Sequence, residues 1–157
     1  MHSKSIISGE HEASILVVSS DAKGTPLICE EGLSFWGGVD PKSGKIIDTY
    51  HSQYGQLVRD RILIMPSSRG SCSGSGVLLE LATKGMAPSA IIFKEMEDTL
   101  TLGAIVANYL FNCNLPIIRL CKKAYNVVSK SKTVQIKGKN LFADKFKFEL
   151  EIPREKE

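Results

Sequence analysis

A mixed α/β domain with parallel strands joined by helical crossovers is the fold class this chain predicts, on three observations. Short apolar runs of strand length, Ile15 to Val18, Ile62 to Met65 and Ala90 to Phe93, are separated by segments with helical spacing. A turn of small residues, Arg69-Gly70-Ser71-Cys72-Ser73-Gly74-Ser75-Gly76, lies between one such run and one such helix. From Lys132 onward apolar and polar residues alternate, which is the mark of half-buried strands.

Taken in order, residues 1–13 are polar and read as a flexible start. Ile15 to Val18 is a buried strand, and Asp21-Ala22-Lys23-Gly24 reads as a turn before a short extended piece, Pro26 to Cys29. Leu33 to Pro41 is a loop holding the single tryptophan, Trp36, beside Gly37-Gly38. That glycine pair marks backbone needing positive φ or close approach. Pro41-Lys42-Ser43-Gly44 reads as a turn, with Asp40 as a turn residue.

Ile62 to Met65 is the next strand. Val77, Leu78, Leu81 and Ala82 share one helical face, and Gly85 ends that helix with Pro88 beyond it. Ala90 to Phe93 is a further strand. Glu95, Glu97 and Asp98 form an acidic loop, and Asp98 or Thr99 is placed to cap a helix over Leu100 to Phe111. Apolar residues surround that helix, so burial on several faces is expected. Leu115 to Leu120 reads as a strand. Val134/Ile136 and Phe146/Phe148/Leu150/Ile152 predict two strands, with a hairpin around Lys139-Asn140. The domain is expected over 14–152, with a flexible tail over 153–157.

Composition narrows the function. Hydrophobic content of 43% and charged content of 24% suit a globular domain with a core, and a net charge of +3 is small. No basic block is interleaved with aromatics, so nucleic-acid binding has little support. No apolar run approaches the ~20 residues that span a bilayer. Residues 1–8 lack the apolar stretch of a signal peptide, so a cytoplasmic location is expected. Cys29, Cys72, Cys113 and Cys121 are widely spaced, which suits neither a zinc knuckle nor a redox dithiol. No metal site is expected on this chain; an acidic loop with a helix cap accounts for Glu95, Glu97 and Asp98.

The chemistry is expected in the small-residue turn. Such a turn lets backbone approach a ligand and aims helix N–H groups at an anion. It gathers three hydroxyls (Ser71, Ser73, Ser75), the Cys72 thiol and the Arg69 guanidinium. Arg69 can hold a carboxylate in fork geometry or pair with a surface acid. Ser73 and Ser75 read as caps or ligand donors, and Cys72 as a packing or substrate-contact residue rather than a nucleophile. Trp36 reads as a core or interface anchor. His51, the one histidine beyond the first residues, reads as structural or interfacial.

Several motifs agree in order with one family. Ser34-Phe35-Trp36-Gly37-Gly38-Val39-Asp40-Pro41, Gly44, Ile46-Ile47-Asp48, His51, Arg69 to Ser75, Ala87-Pro88 and Leu102 to Ala107 together resemble the swivel domain, or small subunit, of aconitase X. The resemblance runs from about Ile15 to Leu120. The Ser-Cys-Ser filling of the turn is similar to the hydroxyproline-dehydratase branch. The resemblance implies a swivelling β/β/α domain, like the mobile domain of aconitase. It implies a two-component hydro-lyase, inactive without its large partner, that dehydrates a hydroxy acid, cis-3-hydroxy-L-proline.

By motif position the resemblance makes Ser71 the catalytic base. Arg69, Gly70, Cys72, Ser73, Gly37 and Gly38 are the expected substrate contacts. An iron–sulfur cluster is expected on the large subunit and no cofactor on this chain. Three rivals remain: a mevalonate 5-phosphate dehydratase small subunit, a non-catalytic anion-binding module, and a serine hydrolase. The last would need His51 as base and lacks the nucleophile-elbow glycine spacing.

Overall fold

The computed structural model describes residues 13–153. The expected flexible ends, 1–13 and 153–157, fall outside the described residues apart from Ala13 and Pro153. The elements are β1 (Ile15–Val18), β2 (Ala22–Ile28), β3 (Arg61–Met65), α1 (Gly74–Thr83), β4 (Ala90–Phe93), α2 (Thr99–Phe111), β5 (Ile117–Arg119), α3 (Lys122–Val128), β6 (Val134–Lys137), β7 (Asn140–Ala143) and β8 (Phe146–Glu149).

The strands form one sheet in the order β1-β5-β4-β3-β2-β6-β7-β8. The central four, β2 to β5, run parallel. Their connections through α1 and α2 fit the crossover pattern of alternating strands and helices, so the α/β expectation is met. β1 joins one edge antiparallel, and β6, β7 and β8 continue the other edge as an antiparallel meander.

The sheet curls back on itself. Leu16 donates its N–H to the Glu151 carbonyl at 2.8 Å, and Glu151 donates to Ser14 at 2.8 Å, so chain just past β8 meets β1. Alternate residues of the parallel strands therefore serve two cores. Leu63, Met65, Ile91, Phe93 and Ile117 pack with Leu78 and Leu81 of α1 and with Leu100 and Ala104 of α2. Ile62, Ile64, Ile92 and Ile118 pack with Ile136, Leu141 and Phe148 of the meander and with Ala124, Tyr125 and Val128 of α3. The period of two along a strand makes this division. The result is a helical layer, a parallel sheet, and a second β layer with α3.

The structure corrects five local expectations. Asp21 to Gly24 does not form a turn before a separate strand: Ala22, Lys23 and Gly24 lie within β2, which pairs with β6 at this end. The last segment holds three strands rather than two. The hairpin at Gly138-Lys139 leads into β7, which was not foreseen, and a second reversal at Asp144-Lys145 leads to β8. α3 was also not foreseen. Neither Asp98 nor Thr99 caps α2 through its side chain. Buried Glu97 does so: its carboxylate accepts the N–H groups of Leu100 at 2.8 Å and Thr101 at 3.0 Å. Finally, α2 is buried on one side only. Leu100, Thr101, Gly103, Ala104 and Ala107 face the core, whereas Leu102, Ile105, Tyr109, Leu110 and Phe111 are exposed.

Gly103 sets the approach of the two helices. A Cβ there would stand 2.8 Å from the Ser75 carbonyl oxygen, closer than real contacts allow. α2 therefore presses directly on the first turn of α1.

Candidate functional site

The strand β3 ends at Met65, and the chain then runs along the segment after β2. Leu33 and Ser68 form an isolated parallel bridge, and the Leu33 carbonyl accepts the Arg69 N–H at 3.3 Å. Arg69, Gly70, Ser71, Cys72 and Ser73 follow, all exposed, before α1 begins at Gly74. The turn thus lies beyond the carboxyl ends of parallel strands, where α/β sheets commonly bind ligands.

Gly70 has φ +92, a conformation that L side chains rarely adopt. Ser71 follows with its Oγ accepting the backbone N–H of Ser73 at 3.3 Å. Ser73 occupies the N-cap position of α1 but makes no side-chain cap bond. Ser75 donates its hydroxyl to the Cys72 carbonyl at 2.7 Å. The amides of Gly74, Ser75, Gly76 and Val77 are taken by the carbonyls of Ser71, Cys72 and Ser73. Among the described residues, the amides of Gly70, Ser71 and Cys72 have no protein acceptor. The open donors of this turn are therefore these three, rather than the first turn of α1 as the sequence suggests. A run of unpaired amides of this kind favours an anion.

The glycine pair of the Trp36 loop comes to the same place. Gly37 has φ +77, as its expected special conformation requires. Gly38 is buried, and a Cβ there would collide with the Ser34 carbonyl oxygen. Ser34 also faces Gly70: a Cβ at Gly70 would meet the Ser34 Oγ, with the Ser34 Cβ at 3.3 Å. Ser34 donates its hydroxyl to the Trp36 carbonyl at 2.9 Å. Ser34 thus joins the Gly37-Gly38 loop to the serine turn. Sequence reasoning did not single it out as a site residue, and the only signal was its place at the head of the Trp36 motif.

Arg69 pairs with Glu31 at 3.7 Å, with both side chains largely exposed. Such a pair contributes little and rearranges readily. The Ser68 hydroxyl donates to Glu97 at 2.5 Å, so the carboxylate capping α2 also holds the strand-end side of the turn. Glu97 is thereby engaged with Ser68, Leu100 and Thr101, and among the described residues no three metal-ligating side chains gather.

His51 lies away from the turn's direct contacts. It is 5% exposed, and its Nδ1 accepts the Gln53 N–H at 3.1 Å. Gln53 in turn donates to the Ile28 carbonyl at 2.7 Å, pinning this loop to the end of β2. The Nε2 of His51 is buried without a partner. Buried and bonded this way, His51 has no hydrogen bond to Ser71 of the kind a hydrolase base needs.

Cys29 is buried 1% exposed in the core, and burial, followed by the nearby Glu31 charge, pushes its thiol up to about 12. Cys121 is buried, Cys113 is half-buried, and Cys72 alone of the four is exposed. The Asp40 carboxylate accepts the Ser43 hydroxyl at 2.7 Å and the Lys42 N–H at 3.0 Å, and these bonds hold it below the usual carboxylate range. That is the turn role expected of it.

Among the described residues no helix is long and apolar enough to cross a membrane. Three surface cavities lie away from the serine turn: one by Asp60 and Pro88, one by Thr133 and Phe142, one by Lys94 and Arg119. The turn itself stands open at the surface.

Comparison with known proteins gives this arrangement a family. The cis-3-hydroxy-L-proline dehydratase of Hypocrea jecorina is 41% identical over 128 residues, which is 82% of this chain and 22% of that protein. This chain thus spans about a fifth of that relative's length. The phosphomevalonate dehydratase small subunit of Methanococcoides burtonii is 33% identical over 124 residues, 78% of this chain and 86% of that one. The crystal structure of Thermococcus kodakaraensis aconitase X in its holo-form superposes with a TM-score of 0.67 at 31% identity, covering 79% of this chain and 88% of that chain. The family model described as the aconitase X swivel domain matches residues 7–143, which take in the Trp36 loop, the serine turn and the meander as far as β7. With the turn, its glycine partners and the sheet as far as β7 inside that match, the chain belongs to the aconitase X swivel domain family.

Proposed function

We propose that this chain is the swivelling part of an aconitase X-type hydro-lyase, and that Ser71 is its catalytic base. The observation that carries the reading is the Ser71 Oγ accepting the Ser73 N–H on an exposed turn whose neighbouring amides are open. Dehydration of a hydroxy acid removes a proton from the carbon beside the carboxylate and a hydroxyl from the next carbon. A serine hydroxyl is a very weak base unless its alkoxide is stabilised. The Ser73 N–H does that directly, and the amides of Ser71 and Cys72 add positive potential beside it. Arg69, released from its exposed pair with Glu31, reaches a substrate carboxylate in fork geometry. Gly70 and Gly38 keep the backbone free of side chains where the two loops converge, and Gly37, Cys72 and Ser73 complete the contact surface.

An open turn excludes no water, so the site needs a second body to close it. We assign that role to the large aconitase X polypeptide. In this reading the iron–sulfur cluster belongs to that polypeptide, as the resemblance to aconitase X implies. Bound there, it supplies a Lewis acid for the departing hydroxyl. The substrate we favour is cis-3-hydroxy-L-proline, giving a pyrroline carboxylate; the Hypocrea jecorina relative carries that activity in its name and is the more similar in sequence. Mevalonate 5-phosphate is the second reading, favoured by one observation: this chain covers 86% of a small subunit of that enzyme but 22% of the hydroxyproline enzyme.

The deciding experiment combines this chain with its large polypeptide and assays loss of water from both acids. Turnover of cis-3-hydroxy-L-proline alone supports the first reading, and turnover of mevalonate 5-phosphate alone supports the second. Turnover of neither, in a complex with its cluster intact, removes the dehydratase assignment.

A further inference from the structure

The helix α2 has an outer face that this chain does not cover. Its thirteen residues, Thr99 to Phe111, include no charged side chain. On a helix exposed to water, the face opposite the core is ordinarily charged or polar. Here Leu102 is 57% exposed, Ile105 38% and Tyr109 85%, at the i, i+3, i+7 spacing of a single stripe opposite the buried Leu100, Ala104 and Ala107. Leu110 and Phe111, 72% and 52% exposed, lie off this stripe in the last turn, where the helix runs past the core. Scattered exposed apolar residues are normal, but a contiguous set on one uncharged helix marks an interface.

The stripe begins at the serine turn. Gly103, next to Leu102, touches Ser75 in the first turn of α1. A Cβ added at Gly74 would stand 3.8 Å from both the Thr99 methyl and the Trp36 backbone nitrogen. Trp36 itself is 62% exposed. The turn bearing Ser71 is therefore flanked by Trp36 on one side and by the start of the α2 stripe on the other.

We propose that the outer face of α2, with Trp36 at its upper end, is the surface on which the large aconitase X polypeptide docks. The inference rests on the dehydratase reading above. It selects that occupant over a second copy of this chain for two reasons. The patch is continuous with the turn that the large polypeptide must close. In the Hypocrea jecorina relative the matching region is 22% of one polypeptide, so a much larger body is tethered to it and is available to cover such a face. Where the body is a separate chain, the apolar stripe replaces the tether, and the aromatic and leucine side chains act as anchors.

The test substitutes Leu102→Asp together with Tyr109→Asp, and separately Phe142→Lys as a control on β7, in the layer on the other side of the parallel sheet from α2. Circular dichroism checks that each variant folds. Affinity for the purified large polypeptide is measured by calorimetry, and turnover is measured as the large polypeptide is titrated. The α2 variant should bind at least about tenfold more weakly, and its turnover should approach normal when the partner saturates it. The control should bind as the parent does. Unchanged affinity of a folded α2 variant overturns the proposal. So does self-association of this chain that the variant abolishes while partner affinity stays the same, because the occupant is then a second copy. Failure of the dehydratase reading looks different: a tight, α2-dependent complex would form but would turn over neither acid.

Discussion

Ser34 fills the space that a side chain at residue 70 would need, and it does so from the loop that also carries Gly37 and Gly38. Gly70→Ala therefore meets two obstacles: a φ of +92 and the Ser34 side chain. The strained backbone alone costs on the order of 1–3 kcal/mol. We expect denaturant unfolding to show a loss of that order, and turnover with the large polypeptide to fall as the turn shifts. Adding Ser34→Gly should recover part of the loss by relieving the contact but not the backbone strain. Full stability in Gly70→Ala would show that the turn adapts freely.

Ser71→Ala removes the hydroxyl that accepts the Ser73 N–H while leaving the backbone of an exposed turn in place. General-base contributions are typically about 10²–10⁴-fold, so turnover should drop within or beyond that range with affinity for the large polypeptide unchanged. Near-normal turnover would move the base to another residue.

Glu97 ties the turn to α2. One oxygen accepts the Ser68 hydroxyl and the Leu100 N–H, and the other accepts the N–H and hydroxyl of Thr101. Glu97→Gln places an amide donor against other donors, and Glu97→Ala removes every acceptor. Either change should cost about 1–3 kcal/mol, by thermal or denaturant unfolding. The conservative Gln variant should recover little. Full recovery with Gln would mean the charge and second oxygen are dispensable.

The cysteines should separate cleanly by reactivity. Cys29 is buried with its thiol pushed up to about 12, whereas Cys72 is exposed. At pH 8 iodoacetamide followed by peptide mass spectrometry should find Cys72 modified first and Cys29 protected until the protein unfolds. Early labelling of Cys29 in folded protein would contradict the packed core drawn here.

Asp144 closes the reversal between β7 and β8, accepting the N–H groups of Lys132 and Thr133 and the Thr133 hydroxyl. The Thr133 bond, first among these, holds its carboxyl below the ordinary value of 3.8. A depressed carboxyl stabilises the folded state above its unfolded pKa and loses that contribution as pH falls through the folded value. The difference in Tm between parent and Asp144→Asn should thus be constant near neutrality and shrink below about pH 4. Asn keeps the positive φ of 50 accessible, so backbone strain is not introduced. A difference that persists unchanged into strong acid would mean the charge has no part in it.

The parallel strands were readable because each is a short, continuous apolar run bounded by polar or turn residues. Ala90 to Phe93 is β4 to the residue, and Ile62 to Met65 lies within β3. β7 escaped notice because Leu141, Phe142 and Ala143 are consecutive apolar residues with no alternation to mark a half-buried strand, and only pairing opposite Ile136 and Val134 shows that Leu141 and Ala143 face inward. α3 is seven residues long, begins on two lysines and ends on two valines, which favour strands on their own. It is a helix because Ala124, Tyr125 and Val128 complete the second core. The location of the serine turn was legible, as was the special backbone of Gly37. The open amides of Gly70, Ser71 and Cys72 were not, because a sequence cannot tell which N–H groups find carbonyls.

By itself the order of residues determined the layer type, the strand–turn–helix that presents Ser71, and the family, because these depend on local periodicity and on which residue types stand next to one another. The tertiary structure alone decided that Ser34 stands against Gly70, that Glu97 rather than Asp98 caps α2, and that α2 leaves its outer stripe bare. Each of those depends on which distant surfaces come into contact. An apolar helix records that it must be covered, but only the packed sheet shows how much of it the chain covers itself.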